Sequence, residues 1–199
     1  MNPTRTILLA AAIAAAPAAA AFAQGASVRI RGTIERLDGD SLAVKTREGQ
    51  DVTVALAPNL SVSAVVAKNL ADIREGDYVA STSMRGPDGR LRALEVHYLP
   101  AGAGEGQFPY DLAPESVMTN ALVSGVTAAP EGRVLRVTFK GTQAEIVVPP
   151  DAPVVAFAPA DRSLLKPGAA IVTSAAKQAD GKLLVSRATV EKDGVKPPM

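Results

Sequence analysis

His97 is the only histidine in the chain, so any imidazole chemistry has to be organised around it. A nucleophilic site would pair it with Ser81, Ser116 or Ser124 and use Asp111 as the orienting carboxylate. None of these serines stands in a Gly-x-Ser-x-Gly turn, the strained elbow that exposes a nucleophile. His97 itself lies in Leu94-Glu95-Val96-His97-Tyr98, where strand alternation places it beside Glu95 on the face opposite Val96. A strand histidine in a local hydrogen bond is the simpler expectation. The chain is read as having no catalytic residue and as not being an enzyme.

Metal binding calls for other partners. Glu95, His97, Asp111 and Glu115 are the candidate ligands, three carboxylates and an imidazole that would suit a hard or borderline divalent ion. Their spacing matches neither His-x-x-x-His nor an Asp-x-Asp-x-Asp-Gly loop. The absence of cysteine removes disulfides, zinc-thiolate sites, iron–sulfur clusters and thiol nucleophiles. No cofactor is expected. Asp38, Asp88 and Asp180 are accounted for by the turns they start.

Polyanion binding is excluded on charge and aromatic content. The formal net charge is +1, and Arg5 is the only charge in the first 23 residues, so the rest of the chain is formally neutral. Six aromatics follow residue 23, with no tryptophan, too few for the stacking platforms of oligonucleotide binders. Gly102-Ala103-Gly104-Glu105-Gly106 is glycine-rich, but it has no strand–loop–helix context and holds an acid, so it is no phosphate cradle.

The elements that must position these residues begin with an export signal. Met1 to Arg5 is a short positive region, Ile7 to Ala16 an apolar run, and Ala21-Phe22-Ala23 the small-residue site for cleavage between Ala23 and Gln24. The apolar stretch from Ile7 to Ala23 is mostly alanine and contains Pro17, a poor membrane span. The mature chain is expected to be soluble and periplasmic, with no later spanning segment.

Beyond residue 23 the texture is β. Val28 to Leu37, Leu42 to Thr46, Val52 to Leu56, Ser61 to Val66, Tyr78 to Met84 and Leu91 to Tyr98 read as strands, with Asp38-Gly39 and Asp88-Gly89 as hairpin turns. Lys68 to Ile73 suits one or two helical turns. The pattern then recurs: Gly32 is matched by Gly125, Leu42 and Val44 by Leu135 and Val137, Val54 by Val148, Ile73 and Gly76 by Leu165 and Gly168, and Asp88-Gly89-Arg90-Leu91 by Asp180-Gly181-Lys182-Leu183. The offset stays at 92 to 94 residues, as in a duplicated domain with small loop changes.

The expected fold is all-β, two tandem OB-like barrels each with a short helical turn, preceded by the signal helix. Residues 1–23 form the signal, 24–99 the first barrel, 100–120 an interdomain segment, 121–192 the second barrel and 193–199 a flexible tail. A single two-sheet sandwich drawing on both repeats is the alternative. The interdomain segment is too apolar for a passive linker. Phe108, Tyr110, Leu112, Val117 and Met118 are expected to staple the barrels together, and His97, Phe108, Tyr110 and Asp111 are the candidate ligand-binding residues of an interdomain cleft.

Gly32-Thr33-Ile34, Leu42-Ala43-Val44, Val52-Thr53-Val54, Ile73-Arg74-Glu75-Gly76-Asp77-Tyr78-Val79 and Asp88-Gly89-Arg90-Leu91 together resemble a bacterial family of exported β-barrel modules, number 5666 in the domain-of-unknown-function series. The second repeat departs from the pattern, with Ala169 where the first has Asp77. The resemblance implies a fold and an exported location and brings no activity. The metal-permease label that some relatives carry does not fit a chain without several spanning helices. The function expected is a non-enzymatic binding or interaction module of the cell envelope, its partner an envelope protein. The alternative is a small-molecule or divalent-ion binder using the interdomain cleft.

Overall fold

A computed structural model of the chain describes residues 27–198. The expected signal sequence and its cleavage site at Ala23 and Gln24 lie outside the described residues. Among those described, no helix is long and apolar enough to cross a membrane.

The strands are β1 (Ser27–Asp38), β2 (Ser41–Thr46), β3 (Asp51–Ala67), β4 (Tyr78–Arg85), β5 (Leu91–Tyr98), β6 (Gly106–Pro109), β7 (Val117–Ala129), β8 (Gly132–Phe139), β9 (Thr142–Val148), β10 (Val154–Ala160), β11 (Ala170–Lys177) and β12 (Leu183–Val190). One-turn 3-10 helices lie at Leu70–Asp72, within the Lys68 to Ile73 stretch where one or two helical turns are expected, and at Arg162–Leu164. Val52 to Leu56 and Ser61 to Val66, read as two strands, are one long strand, β3.

Five strands close a barrel. β1 pairs β2, β2 pairs β3, β3 pairs β12 in parallel, β12 pairs β11 and β11 returns to β1. Closure leaves this small sheet no free edge. Alternation fills it: Ile30 and Ile34 of β1, Leu42 and Val44 of β2, Val54 of β3, Ile171 of β11 and Val185 of β12 are all buried in one cluster. Gly32 is where β1 and β2 come closest, and a Cβ there would lie 2.1 Å from the Lys45 carbonyl oxygen.

A second circuit of pairings runs β7–β8–β9–β5–β4 and back to β7, with β5 and β9 parallel. It encloses Val79, Val96, Val123, Leu135, Val137, Ile146 and Val148. Each circuit follows one rule: three strands come from one repeat and two from the other. The division expected at residues 24–99 and 121–192 therefore does not follow the pairings. Strands β4 to β9 form a contiguous unit, inserted between the third and fourth strands of a barrel whose two parts are far apart in sequence.

The 3-10 turns mark where the chain changes circuit. Ile73 follows β3 of the closed barrel yet is buried in the β4–β9 cluster, and Leu165, its counterpart, plugs the closed barrel. The glycines three residues on make equivalent bonds, Gly76 N–H to the Val123 carbonyl at 2.9 Å and Gly168 N–H to the Ile34 carbonyl at 2.8 Å. β10 spans the junction, antiparallel to β3 and parallel to β5. Pro149, Pro150 and Pro153 separate β9 from β10, because proline cannot supply the N–H a continuous ladder needs.

The tail expected to be flexible is folded down. Lys192 and Val195 bridge across Asp193-Gly194, whose φ angles of 51° and 79° are both positive, as a type I′ hairpin turn requires. The chain reverses there, and Pro197 is buried.

Candidate functional site

The sequence-predicted residues fall on the junction between the circuits and divide into three groups. The first is built on β5. Val96 points into the core and is fully buried, so Glu95 and His97 project from the other face. That face is covered, leaving Glu95 only 2% exposed. One of its carboxylate oxygens accepts from Thr82 Oγ1 at 2.5 Å, and the other lies 2.9 Å from His97 Nδ1. His97 also meets Phe157 of β10 edge-on, ring centroids 5.2 Å apart. The burial of Glu95 and the presence of Thr82 and Phe157 had no counterpart in the sequence reading.

The second group is the interdomain segment against β1. Ile30 points inward, which turns Arg29 and Arg31 toward the segment. Asp111 Oδ1 accepts from Arg29 Nη1 at 2.5 Å and from Arg31 Nη2 at 2.8 Å. Both guanidinium groups lie over the Tyr110 ring, at 4.7 and 5.4 Å from its centroid. Arg47 donates to the Asp111 and Leu112 carbonyls at 2.9 and 3.0 Å. The hydrogen bond from Arg31 holds the Asp111 carboxyl well below the usual carboxylate range, against the opposing effect of burial and with Arg29 adding to it. Burial works against the charge on Arg31, but its contacts with Asp111 and Tyr110 outweigh that and push its pKa up. Three arginines thus clamp this segment onto the closed barrel through Asp111, Tyr110 and the Leu112 carbonyl, whereas Phe108, one of the apolar residues expected to staple the barrels together, is exposed. None of the three was singled out in the sequence, because Val28-Arg29-Ile30-Arg31 reads as an ordinary solvated strand face.

The third group is the remainder, which the fold keeps apart. Phe108 lies on β6 opposite Met118 and is exposed, outside the cleft that Tyr110 lines. Glu115 is exposed, at a φ of 59°. Among the described residues no three of His, Asp and Glu gather in a metal-binding group, and Glu95, His97, Asp111 and Glu115 divide as stated. The candidate serines are engaged elsewhere: Ser81 Oγ with Ser83 and the Glu95 carbonyl, Ser116 Oγ with the carbonyls of Tyr110 and Ala113, Ser124 Oγ with the Arg136 carbonyl.

Between the circuits lies a cleft of about 120 Å³, lined by Glu95, His97, Tyr110, Leu112, Phe157, Val172, Thr189, Pro197 and Pro198. It falls below the roughly 300–1,000 Å³ of ordinary small-molecule sites. Val172 and Thr189 also line a second, open groove of about 690 Å³ on the outer face of β3, β11 and β12. Ser27, Ser61, Ser63, Thr173, Ser174, Ser186 and Thr189 bring hydroxyls to that groove, Ser63 bonded to Thr189 and Thr173 to the Arg187 carbonyl, and among the described residues Arg187 is its one charged side chain. Cleft and groove adjoin at Val172 and Thr189, which line both.

No family model, no curated protein and no solved structure matches the chain. The resemblance to the exported barrel family therefore rests on the motifs quoted for it.

Proposed function

We propose that this chain is an exported, periplasmic interaction module of the cell envelope, without enzymatic activity, built from two OB-like barrels and related to the exported barrel family its motifs resemble. The observation that carries the reading is that the interbarrel cleft adjoins the hydroxyl-lined groove at Val172 and Thr189. A surface track of donors and acceptors leading to an aromatic-sided notch suits an extended polypeptide, whose backbone needs hydrogen-bond partners and whose side chains need occasional pockets. The alternative, a small-molecule or divalent-ion site around His97, Phe108, Tyr110 and Asp111, is less well supported. The cleft is small, Phe108 lies outside it, and the carboxylates of Glu95 and Asp111 are already engaged by neighbouring side chains.

Native mass spectrometry on protein released gently from the periplasm of its source cell tests this. The expected result is a stoichiometric second polypeptide, lost from a Ser174→Arg, Arg187→Glu variant whose thermal midpoint is unchanged. A bound mass of metabolite or ion size, or a partner indifferent to that variant, would overturn the reading.

A further inference from the structure

The chain's own C-terminal segment forms one wall of the cleft. The Asp193-Gly194 turn reverses the backbone after β12, and the chain then runs back so that Pro197 is buried and Pro198 half-buried against the junction. Tyr110, Phe157, His97 and Leu112 line the same cleft, and His97 and Phe157 meet edge-on there.

From this we propose that the cleft is a proline-recognition site for an extended, proline-containing polypeptide, and that Pro197-Pro198 is its built-in competitor. The proposal rests on the interaction-module reading above and names the chemistry of the partner. Proline suits such a notch for two reasons. It has no N–H to satisfy, and its fixed φ reduces the entropy lost when an extended segment is held on aromatic rings.

Three observations separate a recognition site from simple core filling. Phe157 remains 41% exposed despite lining the cleft, whereas the side chains enclosed by the two circuits are almost fully buried. About 120 Å³ of space stays open beside the prolines, so they are not packed to the density of an interior. Beyond the Lys192–Val195 bridge the tail joins no strand, so the described backbone holds it by one turn. The hydroxyl-lined groove meets the cleft at Val172 and Thr189, which lets a bound polypeptide continue past the point where the prolines sit.

A fluorescein-labelled peptide of sequence Gly-Val-Lys-Pro-Pro-Met, and its Pro-to-Ala analogue, are the probes for fluorescence anisotropy with the full chain. The native protein is expected to bind the proline peptide weakly, because a tethered competitor acts at high effective concentration. The Pro197→Ala, Pro198→Ala variant should bind it at least about tenfold more tightly, since the bound tail no longer lowers the competent fraction. Gly194→Val, which puts a β-branched residue at a φ of 79°, should release the intact tail and give the same gain, covering the case in which the double variant does not fold. In the double-alanine background, Phe157→Ala or Tyr110→Ala should abolish binding.

The proposal fails if the alanine peptide binds as well as the proline peptide. It fails equally if tail-released chains gain no affinity. A polypeptide partner that still depends on Ser174 and Arg187 would then leave the interaction-module reading standing alone. Loss of that partner with proline binding intact would instead remove the groove and keep the notch.

Discussion

Val65 of β3 lies opposite Phe157 of β10, and the neighbouring pair, Ala64 and Ala158, is the same pair seen from the other repeat. Displacing each residue by the repeat offset of 93 converts one pair into the other. The β3–β10 ladder is thus self-complementary, like the two-fold interface of a homodimer, although both strands belong to one chain. It sits where β3 and β10 carry the chain between the circuits.

Mixed ownership of the strands has a direct consequence for fragments. A piece ending at Leu99 holds three strands of the closed barrel and two of the other circuit, so it closes neither. It is expected to be unfolded by circular dichroism. The intact chain, cut at a protease site placed between Ala101 and Gly102, is expected to stay folded, its two pieces eluting together at the mass of the whole. A Leu99-ended fragment with cooperative thermal unfolding would mean that each repeat closes on itself.

Gly32 and its repeat counterpart Gly125 should respond oppositely to one methyl group. At Gly32 a Cβ meets the Lys45 carbonyl oxygen at 2.1 Å, so β1 and β2 must separate. Gly32→Ala is expected to cost about 2–3 kcal/mol, the upper range for overpacking. At Gly125 the nearest atoms are those of the Arg136 side chain at 3.8 Å, an ordinary contact. Gly125→Ala should stay within about 0.5 kcal/mol of the parent in urea denaturation. Equal losses at the two positions would contradict the close approach assigned to β1 and β2.

Much of this fold is legible in the sequence, for a physical reason. Alternation at Val28-Arg29-Ile30-Arg31 and Leu42-Ala43-Val44-Lys45 specifies which side chains face inward whatever strand comes next to them, and Ile30, Leu42 and Val44 are buried as the pattern requires. The Ile73 and Leu165 plugs were visible as a repeated motif. What the pattern cannot specify is which repeat supplies the fourth and fifth strands, because two similar repeats offer the same edges and the same hydrogen bonds. The site was legible to the same degree. His97 beside Glu95 followed from alternation, whereas the arginine clamp on Tyr110 and Asp111 did not follow from the apolar composition of their segment. The burial of Glu95 and Arg31 did not, since the groups that cover them, Phe157, Pro197 and the Tyr110 ring, are brought there by the chain's crossings. Asp193-Gly194 was the one overlooked signal: it is the same turn dipeptide as Asp38-Gly39, and it folds the tail back.

Asp111 should make stability depend on acid pH. Its carboxyl is held below the range of an unfolded aspartate, so the folded state prefers the ionised form. That contribution is fully present above the unfolded value of about 4 and is lost as pH falls below it toward the depressed folded value. At neutral pH, Asp111→Asn is expected to cost about 1–2 kcal/mol. This is less than the full penalty of a broken buried pair, because the carboxylate is half in solvent while Arg31 is not. The gap between parent and variant thermal midpoints should narrow as pH is lowered from about 5 to about 2. A gap that holds constant over that range would show that the Arg29 and Arg31 pairing adds nothing to stability.

Glu95 offers the sharper test of the junction, because its charge has no solvent to fall back on. The side chain is 3% exposed and bonded at both oxygens, to Thr82 and to His97. Glu95→Ala would leave the Thr82 hydroxyl and His97 Nδ1 without their partner in a site closed by Phe157. The expected cost is about 2–3 kcal/mol in urea denaturation, with an unchanged m-value. Glu95→Gln separates hydrogen bonding from charge. Its amide oxygen can still accept from Thr82, while its NH2 can only donate, so His97 must then present an unprotonated Nδ1. Glu95→Gln should therefore cost less than Glu95→Ala in the same urea denaturation, and equal losses in the two variants would show that the bonds to Thr82 and His97 add nothing to the junction.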